Sequence, residues 1–504
     1  MSNGYFRRCS VTAVDKEQSF LVIGGGFSGS LLATILAKSG FPVTLINRER
    51  HPRFAIGESS TPTAGFILKS LVQRFDLQEL DPLTKYGLWS RHYPQISCGV
   101  KRGFSYFFHE PGSQIQITPS HDFELLVAAS QSRETADTHW YRQDVDAFLF
   151  AYAASNGVAC MSDAALTNAK YNPAGHWEVR LNSTGRLRQF DWIIDASGAG
   201  EVMSRLTGSP RRTEAPFVTN TSACYGHFRN VPRYDDLLTD AGMDTSDFPF
   251  PSDDAAQHHM FNAQWLWSLR FENGISSLGL VTDLNRRNEG DWEEMLNTYP
   301  AMATLLQESI PSAATPELRV SGRMQRQARQ GCGPNWVALP NTIGFVDPLH
   351  STGIAHSLSG VERLAEIFLY SQDTSADVSA YASDVYKELH FIDRLISGCY
   401  KLMPSKRHFE AYCMLYFTAA HNYETQRMES QANRTVPGIF LSDDPQMVDL
   451  IEQGFELACR IEASGDWTEP VLFEQQIRNL ISPVDRIGLC NPELCSMYAS
   501  TAVL

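Results

Sequence analysis

The sequence predicts an α/β chain: a nucleotide-binding βαβ unit at the start, an antiparallel sheet in the middle and a helical C-terminal region. Three observations predict it. A strand, a glycine turn, a helix and a second strand follow one another from residue 20; aromatic segments with alternating polar residues recur in the middle; and helical spacing takes over from about residue 357.

The first strand is the apolar run at residues 20–23, and Gly24-Gly25-Gly26-Phe27-Ser28-Gly29 follows it. Leu31, Leu32, Ile35 and Leu36 then repeat at helical spacing, and Lys38-Ser39-Gly40 ends the helix with a basic last turn and a glycine cap. Residues 42–46 restart as a strand. In this setting Gly24-x-Gly26-x-x-Gly29 is a dinucleotide fingerprint, because glycines let the backbone approach a pyrophosphate at a helix N-terminus. Residues 192–194, running into Asp195-Ala196-Ser197-Gly198, and residues 336–339, ending at Pro340-Asn341, predict two further buried strands of the same domain. Between these pieces, residues 104–108, 263–270 and 277–282 read as strands of an antiparallel sheet roofing a substrate, and the Pro/Asp/Ser-rich stretch 244–254 reads as a surface loop. Helices are predicted around 361–366, 381–395, 408–422 and 445–462.

Composition limits what such a chain does. Its 504 residues, 43% hydrophobic and 20% charged, bury one or two large cores. Lys+Arg 42 against Asp+Glu 57 gives a net charge of -15, which repels phosphate backbones and anionic lipid and turns the expectation from nucleic acid and membrane toward small-molecule chemistry. No charge-free apolar run approaches the roughly 20 residues needed to span a bilayer, and the opening residues lack an apolar signal core, so a cytoplasmic protein is expected. Ten cysteines without a CxxC pair or zinc spacing read as reduced core thiols, and no metal is expected.

Five motifs in order then bring the sequence close to a known family. They are the glycine fingerprint; His51-Pro52-Arg53-Phe54 leading to Gly57-Glu58-Ser59-Ser60-Thr61-Pro62; Cys98-Gly99-Val100-Lys101-Arg102-Gly103-Phe104-Ser105-Tyr106; Trp265-Leu266-Trp267; and Asp347-Pro348-Leu349-His350-Ser351-Thr352-Gly353. With these the chain resembles the flavin-dependent halogenases of the tryptophan halogenase superfamily, within them the branch that chlorinates small phenols. The resemblance implies a Rossmann-like FAD domain of the glutathione-reductase type in a halogenase core at 19–370, with flavin pieces near 19–80, 140–215 and 320–370 and substrate-sheet pieces near 85–135 and 216–319. Residues 371–504 would form the helical substrate side.

The resemblance also implies a two-site reaction. Reduced FAD and O2 give a flavin hydroperoxide, chloride or bromide attacks it, and the resulting hypohalous acid travels to a lysine that holds it beside an aromatic substrate. Lys101 matches that lysine. An ammonium makes the halogen more electrophilic through a hydrogen bond; formation of a haloamine instead needs a lowered pKa, which burial supplies. Lys85 is the rival, in a loop-like Asp-Pro context. Backbone N–H groups at Ser351, Thr352 and Gly353, entering a helix near Ile354, form the expected halide nest. Residues 57–62 match the family's strap between flavin and tunnel, with Glu58 on it as a catalytic candidate and Ser59 at the cofactor, and Asp347 and Gly353 are expected there too. Trp265 and Trp267 match the tryptophan pair that keeps substrate from the flavin, and Phe104 is expected in the substrate pocket. His350 stands where tryptophan halogenases carry a glutamate, and its imidazole is a candidate acceptor for the arenium proton.

Two acidic FAD contacts common in the superfamily are replaced by Asn47 and Asn341, which add no charge-assisted hydrogen bond. Weakly held FAD, delivered reduced by a separate NAD(P)H-dependent flavin reductase, is the expectation, since no second dinucleotide fingerprint is apparent. A flavin-dependent aromatic hydroxylase and a nucleotide-binding scaffold without catalysis are the alternatives, and Lys101 in its pattern discriminates best, since a hydroxylase has no use for it.

Overall fold

The computed structural model describes residues 17–183, 185–209, 216–286, 291–429 and 436–499; the last residues of the segments expected at 140–215 and 371–504 lie outside these. Phe20–Ile23, Val43–Ile46 and Trp192–Asp195 are buried on every residue, as strands covered on both faces must be. They form the centre of a six-stranded sheet in the order Cys332–Gly333, Trp336–Ala338, Trp192–Asp195, Phe20–Ile23, Val43–Ile46, Ala159–Met161. All pairings are parallel except that of Cys332–Gly333 with Trp336–Ala338. Helix Phe27–Lys38 leaves the glycine loop and buries Leu31, Leu32, Ile35 and Leu36, the residues whose spacing predicts it. The strand expected to end at Pro340-Asn341 stops at Ala338, and Pro340 opens a short helix, Pro340–Ile343, where its missing N–H costs nothing.

The second sheet has nine strands, and Gly103–Phe108, Ala256–Met260, Gln264–Arg270, Ser276–Asp283 and Thr221–Arg229 make up its middle. Within this otherwise antiparallel arrangement, Gly103–Phe108 pairs parallel with Ala256–Met260, and Met497–Tyr498 returns from the far end of the described chain to pair parallel with Glu124–Ala128. Cys98–Lys101 precedes this sheet and pairs separately with Asp137–Trp140. Helices Thr352–Tyr370, Thr374–Leu402, Lys406–Glu429 and Pro445–Ser464 contain the four predicted helical stretches and extend each of them. No helix among the described residues is long and apolar enough to cross a membrane.

The stretch 244–254 corrects one expectation. Asp244 is exposed, but Ser252, Asp253 and Asp254 are buried in a tight turn. Arg133 Nη1 bonds both Asp254 oxygens at 2.8 and 2.7 Å, and Arg270 Nη1 lies 3.7 Å from Asp253. These guanidinium partners allow carboxylates to be buried where composition alone suggests solvent. The turn also braces the lysine strand: Arg102 N donates to Asp254 O at 2.6 Å and Ser105 Oγ to Ser252 O at 3.0 Å.

Candidate active site

The glycine loop is shaped for a close ligand. Gly24 has φ +112, and a Cβ there would overlap Ala196 O, while one on Gly29 would overlap Gly24 O, so neither position accepts a side chain. Gly26 differs: its nearest neighbours would be Arg142 Nη2 at 3.7 Å, Arg53 Nη2 at 3.8 Å and Asp146 Oδ2 at 3.8 Å. The open face of the loop is thus bordered by two guanidinium groups and by the Asp146 carboxylate to which both Arg142 Nη2 and Arg53 Nη2 donate, at 2.9 and 3.3 Å; the guanidinium groups and the helix start are donors of the kind a pyrophosphate takes. Arg142 Nε and Nη2 each donate to Asp146 at 2.9 Å, and Phe27 N donates to the same carboxylate at 3.2 Å.

Asn47 takes a structural part in this loop. Its Oδ1 accepts from Gly25 N at 3.1 Å and its Nδ2 donates to Glu49 O at 2.7 Å, so it ties the second strand to the glycine turn. Asn341, exposed on the opposite side, accepts from Arg326 Nη2 at 3.0 Å and lies beside Gly198.

The strap runs from these arginines to the lysine. Arg142 Nη1 donates to Ile56 O and Gly57 O at 3.1 Å each; Glu58 is buried and its Oε1 meets His227 Nε2 at 2.9 Å; Lys101 Nζ donates to Ser59 Oγ at 2.9 Å and Ser60 O at 2.6 Å. Consecutive strap residues are therefore held in turn by the flavin side, the substrate sheet and the lysine. The Ser59 hydroxyl, expected at the cofactor, gives a lone pair to Lys101. Thr61 ends the strap by capping helix Pro62–Arg74.

Lys101 is 0% exposed. Burial pulls its pKa down to about 7, against the opposing pull of Asp137, whose carboxyl burial raises. Asp137 faces Lys101 across the strand pair, and Lys85 Nζ approaches the same carboxylate at 3.6 Å. The two lysines thus flank one acid, but Lys85 remains 26% exposed while Lys101 is packed against an aromatic cluster, its Nζ 4.0 Å from the centre of the Phe104 ring. Phe104 is followed by Tyr106, which stacks on His258 at 4.5 Å, and His258 lies 5.0 Å from Trp265. Burial holds the His258 and His350 imidazoles neutral, down to about 3 in each case.

Trp265 and Trp267 project from one face of their strand with ring centres 6.1 Å apart. Gly279 makes room for Trp267, since a Cβ there would overlap its ring. Trp265 Nε1 donates to Tyr400 OH at 2.7 Å, and Tyr400 OH reaches both Asp347 oxygens at 3.1 and 3.0 Å. Thr221 Oγ1 and Leu349 N complete the shell of that carboxylate at 2.7 and 3.0 Å. Asp347, expected at the cofactor, is buried and braces the turn from beneath; burial pushes its pKa up to about 7.

Above this brace Ser351 adopts φ 54 and begins helix Thr352–Tyr370 without a side-chain cap. By contrast Asp373 and Asp444 cap their helices. The first N–H groups of the 19-residue helix are left without a capping side chain, and Gly353 is exposed with nothing within 4 Å of a would-be Cβ. The arrangement suits a small anion. His350, one residue earlier, is fully buried and stacks on Tyr416 at 4.5 Å; Tyr416 in turn lies 6.2 Å from Phe104. His350 and Lys101 therefore border one aromatic cluster and are linked through Phe104 and Tyr416.

Sequence reasoning missed Arg142, Asp146, Asp137, His227, Tyr400 and Tyr416. Arg53 falls inside a motif given above, and Arg142 and Asp146 stand four apart on one helix, a spacing that could have marked them as a pair; the others act on residues far away in the chain.

Comparison with known proteins agrees with this geometry. The tryptophan halogenase family matches residues 130–412, and an NAD(P)-binding Rossmann-like domain matches residues 22–78. The chain is 27% identical to monodechloroaminopyrrolnitrin halogenase PrnC of Pseudomonas fluorescens over 79% of its own length and 70% of that protein's. It is 25% identical to tetracycline 7-halogenase of Kitasatospora aureofaciens over 77% and 70%. The crystal structure of halogenase PltM in complex with phloroglucinol and FAD superposes with a TM-score of 0.84 at 22% identity, covering 95% of this chain and 99% of that one, which shows a shared fold. Since the family match spans more than half of the chain, the protein belongs to the tryptophan halogenase family and is a flavin-dependent halogenase.

Proposed function

We propose that the protein halogenates a small, electron-rich aromatic of the phenol or resorcinol type and that Lys101 delivers the oxidant. FAD, reduced by a separate NAD(P)H-dependent flavin reductase, supplies hypohalous acid from O2 and chloride or bromide. Arg53, Arg142 and the Gly24–Gly29 turn would hold the cofactor's pyrophosphate, and the N–H groups at Thr352 and Gly353 would hold the halide. The observation that carries the reading is the donor count at Lys101. An ammonium has three N–H donors; Ser59 Oγ and Ser60 O take two, which leaves one without an oxygen acceptor beside the Phe104 ring. A hydrogen bond from that proton to the oxygen of the acid polarises the O–X bond and makes the halogen more electrophilic.

The residues clustered around Lys101 suit an aromatic substrate. Phe104, Tyr106, Trp265 and Tyr416 offer ring faces and edges, and the neutral imidazoles of His258 and His350 can accept a phenolic hydrogen bond or the proton lost from the ring carbon. Trp265 and Trp267 stand at the sheet side of the cluster and would keep substrate from the flavin. The test is mass spectrometry of reactions with FAD, NADH, a flavin reductase, bromide or chloride, and a panel of phenols. A product with the halogen isotope pair supports the reading; a product heavier by one oxygen and free of halogen would make the protein a hydroxylase.

A further inference from the structure

Two thiols beside the aromatic cluster have no part in the halogenation just described. Cys399, on helix Thr374–Leu402, and Cys413, on helix Lys406–Glu429, are both fully buried with sulfurs 3.7 Å apart. Cys399 Sγ also lies 3.5 Å from His350 Nε2 and 3.4 Å from Leu395 O. His350 is the residue before the halide turn, and its stacking partner Tyr416 neighbours Phe104, which faces Lys101. The two thiols thus adjoin His350, one residue before the turn proposed for the halide and one ring contact from Tyr416, and are sealed from bulk solvent.

We propose that Cys399 and Cys413 form an internal trap that consumes hypohalous acid not used at Lys101, closing to a reversible disulfide. The proposal rests on the reading that such an acid passes through this aromatic cluster. The Cys399 sulfur attacks the halogen of HOX, an S–X bond forms and the O–X bond breaks. The departing hydroxide takes up the thiol proton, relayed by the neutral His350 Nε2, and leaves as water. The Cys413 sulfur then attacks the S–X sulfur, the S–S bond forms, and halide leaves with the second proton. In sum, two thiols and HOX give one disulfide, water and HX: both sulfurs are oxidised and the halogen is reduced from +1 to −1.

The chemistry of the site favours this over an ordinary redox switch. Burial pushes the Cys413 thiol well above its usual pKa, which suppresses thiolate-dependent exchange and leaves reaction to a strong electrophile. A neighbouring second thiol also stops the oxidation ladder at the disulfide, short of the irreversible acids. Placement supplies the selectivity. Among the described cysteines Cys495 is exposed, so an oxidant from outside meets it first, while one generated inside meets the buried pair.

The experiment uses holoenzyme turning over FAD, NADH, a flavin reductase and bromide without aromatic substrate, in the presence of monochlorodimedone as a reporter of free oxidant. Samples are denatured in iodoacetamide and the unreduced peptides are analysed by mass spectrometry. The expected result is a bromide-dependent Cys399–Cys413 crosslink, lighter by two hydrogens and reversed by dithiothreitol, with Cys495 still alkylated. Hypobromous acid added from outside should instead oxidise Cys495 before the pair. In Cys413→Ser, Cys399 should proceed to sulfinic and sulfonic acid, and activity should fall several-fold faster per turnover than in the wild type. A brominated reporter with both thiols fully alkylated would overturn the trap while leaving the halogenase reading intact. No brominated reporter and no crosslink would overturn both. Zinc or copper bound stoichiometrically and released only on denaturation would assign the His350, Cys399 and Cys413 cluster to a metal instead.

Discussion

The turn proposed for the halide and the cluster around Lys101 are built from opposite materials. At the turn the groups on offer are main-chain N–H groups at the start of helix Thr352–Tyr370, open at Gly353 and shaped by the φ of 54 at Ser351. In the aromatic cluster the proposed donor is one side chain, Lys101, with 0% exposure and a carboxylate across the strand pair. Backbone donors recognise charge and approximate radius, and any residue with an N–H supplies them. A desolvated ammonium is specific in position and in protonation state, and it depends on everything that shields it. Loss of function should therefore be all-or-none at the lysine and graded at the turn.

The largest effect should follow Lys101→Ala. Halogenated product should fall by about a hundredfold to a thousandfold, the cost of removing a preorganised donor, while flavin oxidation and peroxide release continue. Product quantitation beside oxygen consumption checks this. If Lys85→Ala is the variant that loses product, the oxidant is assigned to the wrong lysine. Gly353→Pro should come next, since it removes one N–H from the halide nest. The apparent halide KM should rise roughly tenfold to a hundredfold, the range for a hydrogen bond to a charged group. An unchanged halide KM in a folded Gly353→Pro enzyme would move the halide elsewhere.

Trp265→Phe sharpens the comparison, because it loosens the turn from below without touching its donors. Losing the bond to Tyr400 relaxes the brace on Asp347, and the halide KM should rise by a few-fold, about 1 kcal/mol. The pH profile of the lysine step should stay where it is.

The smallest effect should be a shift along the pH axis. With Lys101 acting as an ammonium and its pKa near 7, product formation under saturating halide should be full below that value and decline as pH rises through it. The Asp137 carboxylate raises the Lys101 pKa, so Asp137→Asn should move this limb to lower pH. Activity that instead grows as pH rises through the same range would make the neutral amine the working form and favour a haloamine.

The candidate residues were legible where short-range geometry decides. Gly24 and Gly29 are read from the sequence because a strand must turn into a helix within a few residues, and only glycine meets the close approach of Ala196 and of the loop's own carbonyl. The halide turn is also local, a helix start reached through Asp-Pro-Leu-His-Ser-Thr-Gly. Lys101 is visible as a position in a strand pattern, but what makes it usable is not. Its partner Asp137 belongs to the strand Asp137–Trp140, its acceptors lie on a strap some forty residues earlier, and its ring neighbour Phe104 meets Tyr416 from a helix of the C-terminal third.

Asp347 shows the limit most clearly. In sequence it stands beside the halide motif and reads as a cofactor contact; in the fold Thr221, Leu349 and Tyr400 enclose it, and it supports the turn from beneath. Sequence determined the elements and the residue types that could do the chemistry, because φ/ψ sterics, helix ends and strand alternation act over a few residues. Only the tertiary structure decided which of those residues are desolvated, which charges meet and which thiols touch. Burial and Coulomb interaction depend on distances in space, and here those distances are set by segments that lie far apart in the chain.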